Sequence, residues 1–217
     1  MPRQLLATAV RTPEYQEYEI PDLQPNQVRV KAEFGAFKHG TEMIEYRGMS
    51  PFKDSTFDRE WGMFVEVEEA SRFPQGLGNQ IVGEVTEVGS DVATIKVGDR
   101  VNSHGSLKEI CTFNEAGIMV LPDSMSWQAS VCFDPLCFAV TAVRDGQVRL
   151  GDNVAVFGMG AIGLMIVQCA KQQGAERVIA FDPIPRRREL ALKLGADEAL
   201  DSSQCDAGRE VRAFTDK

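Results

Sequence analysis

Residues 154–163, Val-Ala-Val-Phe-Gly-Met-Gly-Ala-Ile-Gly, run from an apolar stretch into G-x-G-x-x-G and then into a segment of helix formers. Few patterns restrict a fold more tightly. A continuous apolar run suits a strand buried on both faces of a parallel sheet, and glycines at this spacing supply a sharp turn into a closely packed helix. Gly158 serves the turn, Gly160 lets the backbone approach a pyrophosphate, and Gly163 lets helix and strand pack together. The stretch Gly158, Gly160, Ala161, Ile162 and Gly163 is therefore expected to hold a dinucleotide at a helix N-terminus, the plainer alternative being a tight turn with no ligand.

The next twenty residues extend the same unit. Residues 164–173 favour a helix that ends at Gly174, and residues 178–181 form a second short apolar run that stops at Asp182. An acid about 20 residues past the last glycine accepts hydrogen bonds from the adenosine ribose and repels a 2′-phosphate, so NAD is the expected cofactor. Arg186, Arg187 and Arg188 keep NADP open, with Arg187 as the candidate phosphate contact; as a solvated face of a helix over 186–194 they would need no ligand.

The 217 residues carry 43% hydrophobic content, enough for a packed core, and a net charge of −9. With a single short basic run, the chain offers no footprint for nucleic acid or an anionic membrane; a small neutral or cationic substrate is easier to accept. No apolar stretch reaches membrane-spanning length, and the first residues lack the pattern of a secretory signal, so a cytoplasmic protein is expected. The five cysteines, Cys111, Cys132, Cys137, Cys169 and Cys205, are odd in number and form no C-x-x-C pair, which suits reduced, buried thiols.

Two grammars divide the chain into residues 1–145 and 146–217. The first is β-rich and barrel-like, with strands expected over 5–10, 15–20, 27–34, 81–88, 100–102, 109–113 and 118–121. Val28, Val30 and Ala32 alternate with Arg29, Lys31 and Glu33, so that strand should show one face to the core and one to water. Residues 49–75, with Trp61 and the acids Glu66, Glu68 and Glu69, lack periodicity and read as a long excursion over a pocket or as a plain surface loop. Residues 127–145 read as helical with a kink or break at Pro135. The second part supplies a strand, helix, strand and helix and the start of a third strand near 198–200. Right-handed crossovers put both helices on one face, so the opposite face is expected to stand bare unless a homo-oligomer or a missing C-terminal segment covers it.

The blocks Gly83-Glu84-Val85-Thr86-Glu87-Val88-Gly89-Ser90, Lys96-Val97-Gly98-Asp99-Arg100-Val101, residues 150–158 and Leu194-Gly195-Ala196-Asp197 succeed one another in an order that resembles the medium-chain dehydrogenase/reductase superfamily. The resemblance covers nearly the whole chain. It implies an α/β plus β architecture: a GroES-like β-barrel catalytic domain over 1–145 and the first half of a Rossmann NAD-binding domain over 146–217, with hydride transfer between a nicotinamide and a small molecule. Zinc-dependent members hold the metal with a Cys-Gly-(Ser/Thr)-Asp block, a His-Glu pair and a further Cys or Glu. Here the equivalent positions are His39-Gly40-Thr41-Glu42, Asn79-Gln80 and Asp134. Neutral amides do not offset a dication, so the resemblance carries an expectation of no catalytic zinc. With Cys111 the only cysteine in 100–115, it carries none of a structural zinc either.

Gly40-Thr41-Glu42 with Tyr46-Arg47-Gly48 resembles a zinc-poor branch, whose sites handle a carbonyl or a proton without a Lewis acid. The candidate catalytic residues are His39, Thr41, Asn79, Gln80 and Asp134. Thr41 matches the hydroxyl that relays the substrate proton in the zinc enzymes, histidine titrates near neutrality, and Asn79 and Gln80 offer amide hydrogen bonds to a substrate oxygen. Each has a plainer reading: His39 as a turn residue, Thr41 as a helix cap, Asn79 and Gln80 as loop residues. His104, in a Ser-His-Gly turn, reads as a surface or interdomain residue. The functional expectation is an oxidoreductase moving a hydride between NAD(H) and a small alcohol, carbonyl compound or activated alkene. Its rival is a non-catalytic nucleotide-binding or scaffold protein of the same descent.

Overall fold

The computed structural model describes residues 1–50, 54–67 and 73–215, which form two compact units, Met1–Val131 and Cys132–Lys217. In the first unit the chain runs β1 (Arg3–Ala9), β2 (Thr12–Glu17), β3 (Gln27–Ala36), α1 (His39–Tyr46), β4 (Ser55–Asp58), β5 (Met63–Glu66), β6 (Gln75–Gly76), β7 (Gln80–Val88), β8 (Arg100–His104), β9 (Ile110–Asn114), β10 (Ile118–Val120) and α2 (Trp127–Ser130). Five strands in the order β10-β8-β7-β3-β9 make an antiparallel sheet, and β2-β1-β6 make a smaller one. All seven strands expected from the turn signals are present, displaced by at most a few residues at their ends.

Branched side chains on the inner face of the large sheet form this unit's core. Val28 and Val30 of β3, Ile81 and Val85 of β7, Val101 of β8 and Cys111 of β9 pack into one cluster. The expected alternation along β3 holds for Lys31 and Glu33, which are exposed, and fails at Arg29, which is buried. Its guanidinium is compensated by Glu87 at 2.9 Å and by the Pro21 carbonyl at 3.0 Å, satisfying the rule that a buried charge needs a partner.

The excursion expected over 49–75 contains a hairpin. Strands β4 and β5 pair with Phe57 opposite Phe64, and the two rings meet edge to face at 5.3 Å. Glu68 and Glu69 lie outside the described residues.

The second unit runs α3 (Phe133–Asp145), β11 (Asn153–Phe157), α4 (Ala161–Gln173), β12 (Arg177–Phe181), α5 (Pro185–Lys193), β13 (Glu198–Leu200) and α6 (Ala207–Phe214). The helical stretch expected over 127–145 is indeed two helices, but the break falls before Pro135, which sits in the first turn of α3 where its missing N–H costs nothing. Because α3 carries Val143 into the core around α4, the compact units divide at 131/132 and not after 145. Three parallel strands in the order β11-β12-β13 bury Val156, Val178 and Ala180 against Val167 and Ala170 of α4 and Ala191 of α5.

The opposite sheet face, expected to be bare, is partly covered. Phe214 of α6 lies 5.4 Å from the Arg177 guanidinium, its carbonyl accepts from that guanidinium, and with Val211 it borders a cleft shared with Ala155 and Ile179. Along β11, Asn153, Ala155 and Phe157 stay exposed.

Ile81→Ala removes most of a side chain that is 1% exposed at the centre of the β core. Destabilisation of about 2–5 kcal/mol is expected in denaturant unfolding of the purified protein, and a value below about 1 kcal/mol would show that the large sheet does not organise this unit.

Candidate functional site

In the second unit the apolar strand β11 ends at Phe157, and Gly158 comes next with φ +86°, the left-handed region that favours glycine. Its N–H donates to the Phe181 carbonyl at 2.7 Å, which locks the turn to the end of β12. A Cβ on Gly163 would lie 1.9 Å from the Gly158 carbonyl oxygen, so no larger residue fits there. Gly160 differs. Its φ of −78° suits any residue, and a Cβ there would meet nothing within 4 Å, so the protein itself does not require glycine at this position. It stands as the N-cap of the 13-residue helix α4, with no side chain capping that end, and Ala161 and Ile162 beside it are exposed. The first-turn N–H groups and the helix dipole make this an anion-receptive terminus.

Asp182 stands at the end of β12 as the motif requires, and it is 2% exposed. One carboxylate oxygen accepts from the Met159 N–H inside the glycine turn at 2.8 Å, and the other from Ile184 N–H at 2.8 Å. Arg187 reaches to 3.5 Å. Burial pushes this carboxyl up, but the two backbone N–H groups and the Arg187 charge outweigh it and hold the group below the ordinary carboxylate range. Asp182 therefore fixes the turn's shape as well as setting a negative charge beside it. The three arginines divide: Arg188 donates to the Asp182 carbonyl at 2.7 Å and pairs with Asp201 at 3.2 Å, whereas Arg186 and Arg187 are exposed, Arg187 keeping its ion pair with Asp182.

In the first unit, α1 and the strand β7 are brought together at the far end of β3. Ala36 lies opposite Gln80, and Asn79 N–H donates to the Ala36 carbonyl at 2.8 Å. Glu42 completes the junction by accepting from Lys38 N–H at 2.5 Å and Gly78 N–H at 2.6 Å. The start of α1, which carries His39 and Thr41, is thus tied to the segment that leads through Asn79 into Gln80. Thr41 does not take the helix-cap position of its plainer reading; Lys38 stands there, its side chain not capping the helix, and its N–H donates to Glu42. His39 and Thr41 are exposed. Gln80 is not a loop residue but the first residue of β7, 1% exposed. Below α1, Leu5, Phe37, Met43, Tyr46 and Leu77 border an apolar cleft of about 370 Å³. Asp134 stands in the first turn of α3, in the other unit.

His104 is the residue that sequence reasoning passed over. At the end of β8 it lies directly opposite Gln80, and its Nδ1 is 2.7 Å from the Gln80 side-chain nitrogen and 3.3 Å from the Asn79 carbonyl. The available signal was the antiparallel pairing of two strands whose ends both carry polar residues. Among the described residues no group of three or more His, Cys, Asp or Glu side chains comes together, and Asn79 and Gln80 bring no charge. Cys111 is buried and pushed up to about 11 by burial, as expected of a packed thiol, while Cys137 is exposed, contrary to expectation. Among the described residues no helix is long and apolar enough to cross a membrane.

A β-rich unit followed by a strand, glycine turn and helix that present an anion-receptive terminus is the plan of a dinucleotide-binding dehydrogenase. Residues 24–125 match the family described as "Alcohol dehydrogenase GroES-like domain" and residues 161–217 the family "Zinc-binding dehydrogenase". The chain is 41% identical to D-guloside 3-dehydrogenase of Escherichia coli (strain K12), an alignment that takes in 99% of this chain and 64% of that protein. The crystal structure of 2R,3R-butanediol dehydrogenase from Bacillus subtilis superposes with a TM-score of 0.81 at 27% identity, covering 100% of this chain and 68% of that one. The quinone oxidoreductase of Pseudomonas syringae gives 0.77 at 27% identity, over 100% and 63%. The chain belongs to the medium-chain dehydrogenase/reductase superfamily. It spans slightly less than two thirds of the length of D-guloside 3-dehydrogenase.

Because the Asp182 carboxyl is held below its ordinary range, its stabilising contribution is complete above the unfolded-state value near pH 4 and fades as pH falls through the folded value. Asp182→Asn is accordingly expected to cost about 1–3 kcal/mol at pH 7, with the gap to wild type closing below about pH 4. Paired urea titrations across that range provide the check, and a gap that stays constant with pH would rule out the ionised carboxylate as its source.

Proposed function

We propose that this protein is an oxidoreductase that moves a hydride between NAD(H) and a small hydroxylated molecule or its carbonyl partner. The observation that carries the reading is Gly160: neither its backbone angles nor its surroundings require glycine, yet it stands at the uncapped start of α4 between two glycines whose own roles are structural. A missing side chain at such a point suits close approach of a diphosphate. When bound, the nicotinamide ring gives or accepts the hydride.

The chain's own residues supply the rest. The N–H groups of Ala161, Ile162 and Gly163 meet the diphosphate, and the buried charge of Asp182 favours an unphosphorylated ribose, hence NAD. Arg187, exposed at 3.5 Å from Asp182, is the group through which NADP would compete. Thr41 and His39 form the path for the proton that alcohol oxidation releases, both being exposed on α1. Asn79 and Gln80 offer hydrogen bonds to the substrate oxygen, and Asp134 is a further candidate carboxylate. The donor set supports chemistry without zinc. The relatives named for guloside and butanediol support an alcohol-bearing substrate, and the cytoplasm is the proposed location.

Two measurements test the reading. NADH fluorescence titration should give saturable binding, weakened about 10-fold or more in Gly160→Ala, while the thermal midpoint of that variant stays unchanged. Turnover on a panel of polyols and aldehydes should persist in metal-free buffer with no stoichiometric zinc by elemental analysis. Saturable NADH binding without turnover on any panel member would favour the rival reading of a nucleotide-binding protein without catalysis, and no binding would remove both.

A further inference from the structure

Resting on the proposed reading, a further assignment concerns the pair Gln80 and His104. Gln80 is 1% exposed, and its side-chain oxygen is buried with no hydrogen-bond partner among the described residues. Its nitrogen is engaged by His104 at 2.7 Å. A half turn of the amide exchanges the two atoms: the oxygen would then accept from the His104 Nδ1–H, and the NH2 group would be the one left without a partner. Either way the imidazole takes one polar atom of the amide and leaves the other unpaired. Buried side-chain atoms of this kind are rarely left unsatisfied in folded proteins, so a group from outside the chain is called for. Ile81 beside Gln80 on β7 is buried and apolar, and among the described residues no protein group pairs with the remaining amide atom.

We propose that His104 fixes the Gln80 amide so that the unpaired atom receives one hydroxyl of a polyhydroxylated substrate, and that the exposed imidazole itself receives the neighbouring hydroxyl. A hydroxyl is the matching chemistry because it both donates and accepts, and so it satisfies the amide in either orientation. Two polar groups on directly opposed strand positions suit adjacent hydroxyls of a sugar or polyol. A monohydric alcohol leaves one of them unmatched, and a site built to hydrogen-bond a hydroxyl rejects the analogue that lacks it.

His39 and His104 are the chain's two histidines, so imidazole nitrogen spectra of the 15N-labelled protein are assigned with His39→Gln alone. D-sorbitol, with and without saturating NADH, should shift the His104 signals saturably, and 1-butanol should not. Gln80→Leu should abolish the response while leaving the thermal midpoint unchanged or raised, because it removes an unpaired buried atom. His104→Ala should weaken sorbitol binding about 10-fold, and His104→Asn, which keeps a polar atom near the Nδ1 position, should restore it to within about 3-fold. NADH affinity should be equal in all four proteins. The proposal is overturned if sorbitol leaves His104 unmoved, if butanol matches sorbitol, or if His104→Asn is no better than His104→Ala. Loss of NADH binding in the unmodified protein would instead strike the cofactor reading, while the sorbitol response without NADH would still decide the role of this pair.

Discussion

A buried carboxylate holds the second unit's business end in shape. Asp182 lies at the end of one strand and accepts N–H groups both from inside the glycine turn and from the segment entering α5, so a single charge joins three pieces of chain. Burying a carboxylate is costly unless its oxygens are hydrogen-bonded, and here both are, with a guanidinium close by. Gly158 and Gly163 gain their necessity from that arrangement, the first through its left-handed backbone and the second through its contact with the Gly158 carbonyl. The turn is hydrogen-bonded at both ends by the chain itself, and such preorganisation lowers the ordering cost of binding a ligand.

The first unit uses the same device with a different acid. Glu42 holds the start of α1, which carries His39 and Thr41, to the segment ahead of β7 through two backbone N–H groups. The polar groups gathered there are largely neutral. Amides, hydroxyls and imidazoles are groups that exchange hydrogen bonds with oxygen atoms.

The elements readable in the sequence are those written in local pattern. The apolar run ending in three glycines gave away β11 and α4, and the Gly83 to Val101 blocks and turn formers gave away the strands of the large sheet. Pairings between distant segments were not readable. The hairpin of β4 and β5 carries exposed residues on both strands and so shows no period, and its register rests on one aromatic pair. Arg188 is indistinguishable from its neighbours until Asp201 closes on it. His104 shows its relation to Gln80 only once β7 and β8 are in register. Thr41 carried a good cap residue's chemistry, but Glu42 won that role because a longer side chain reaches back to Lys38 and across to Gly78 together.

Strand β11 has a sheet neighbour on one side only among the described residues, and Asn153-Val-Ala-Val-Phe157 carries no charge. Phe157, 62% exposed, lays its ring flat on Phe181 at 4.6 Å and so extends an oily surface right up to that border. None of the usual deterrents to intermolecular strand addition is present there: no lysine, no proline, no bulge. An edge of this kind is open to the addition of a further extended segment, whether of this protein or of another copy.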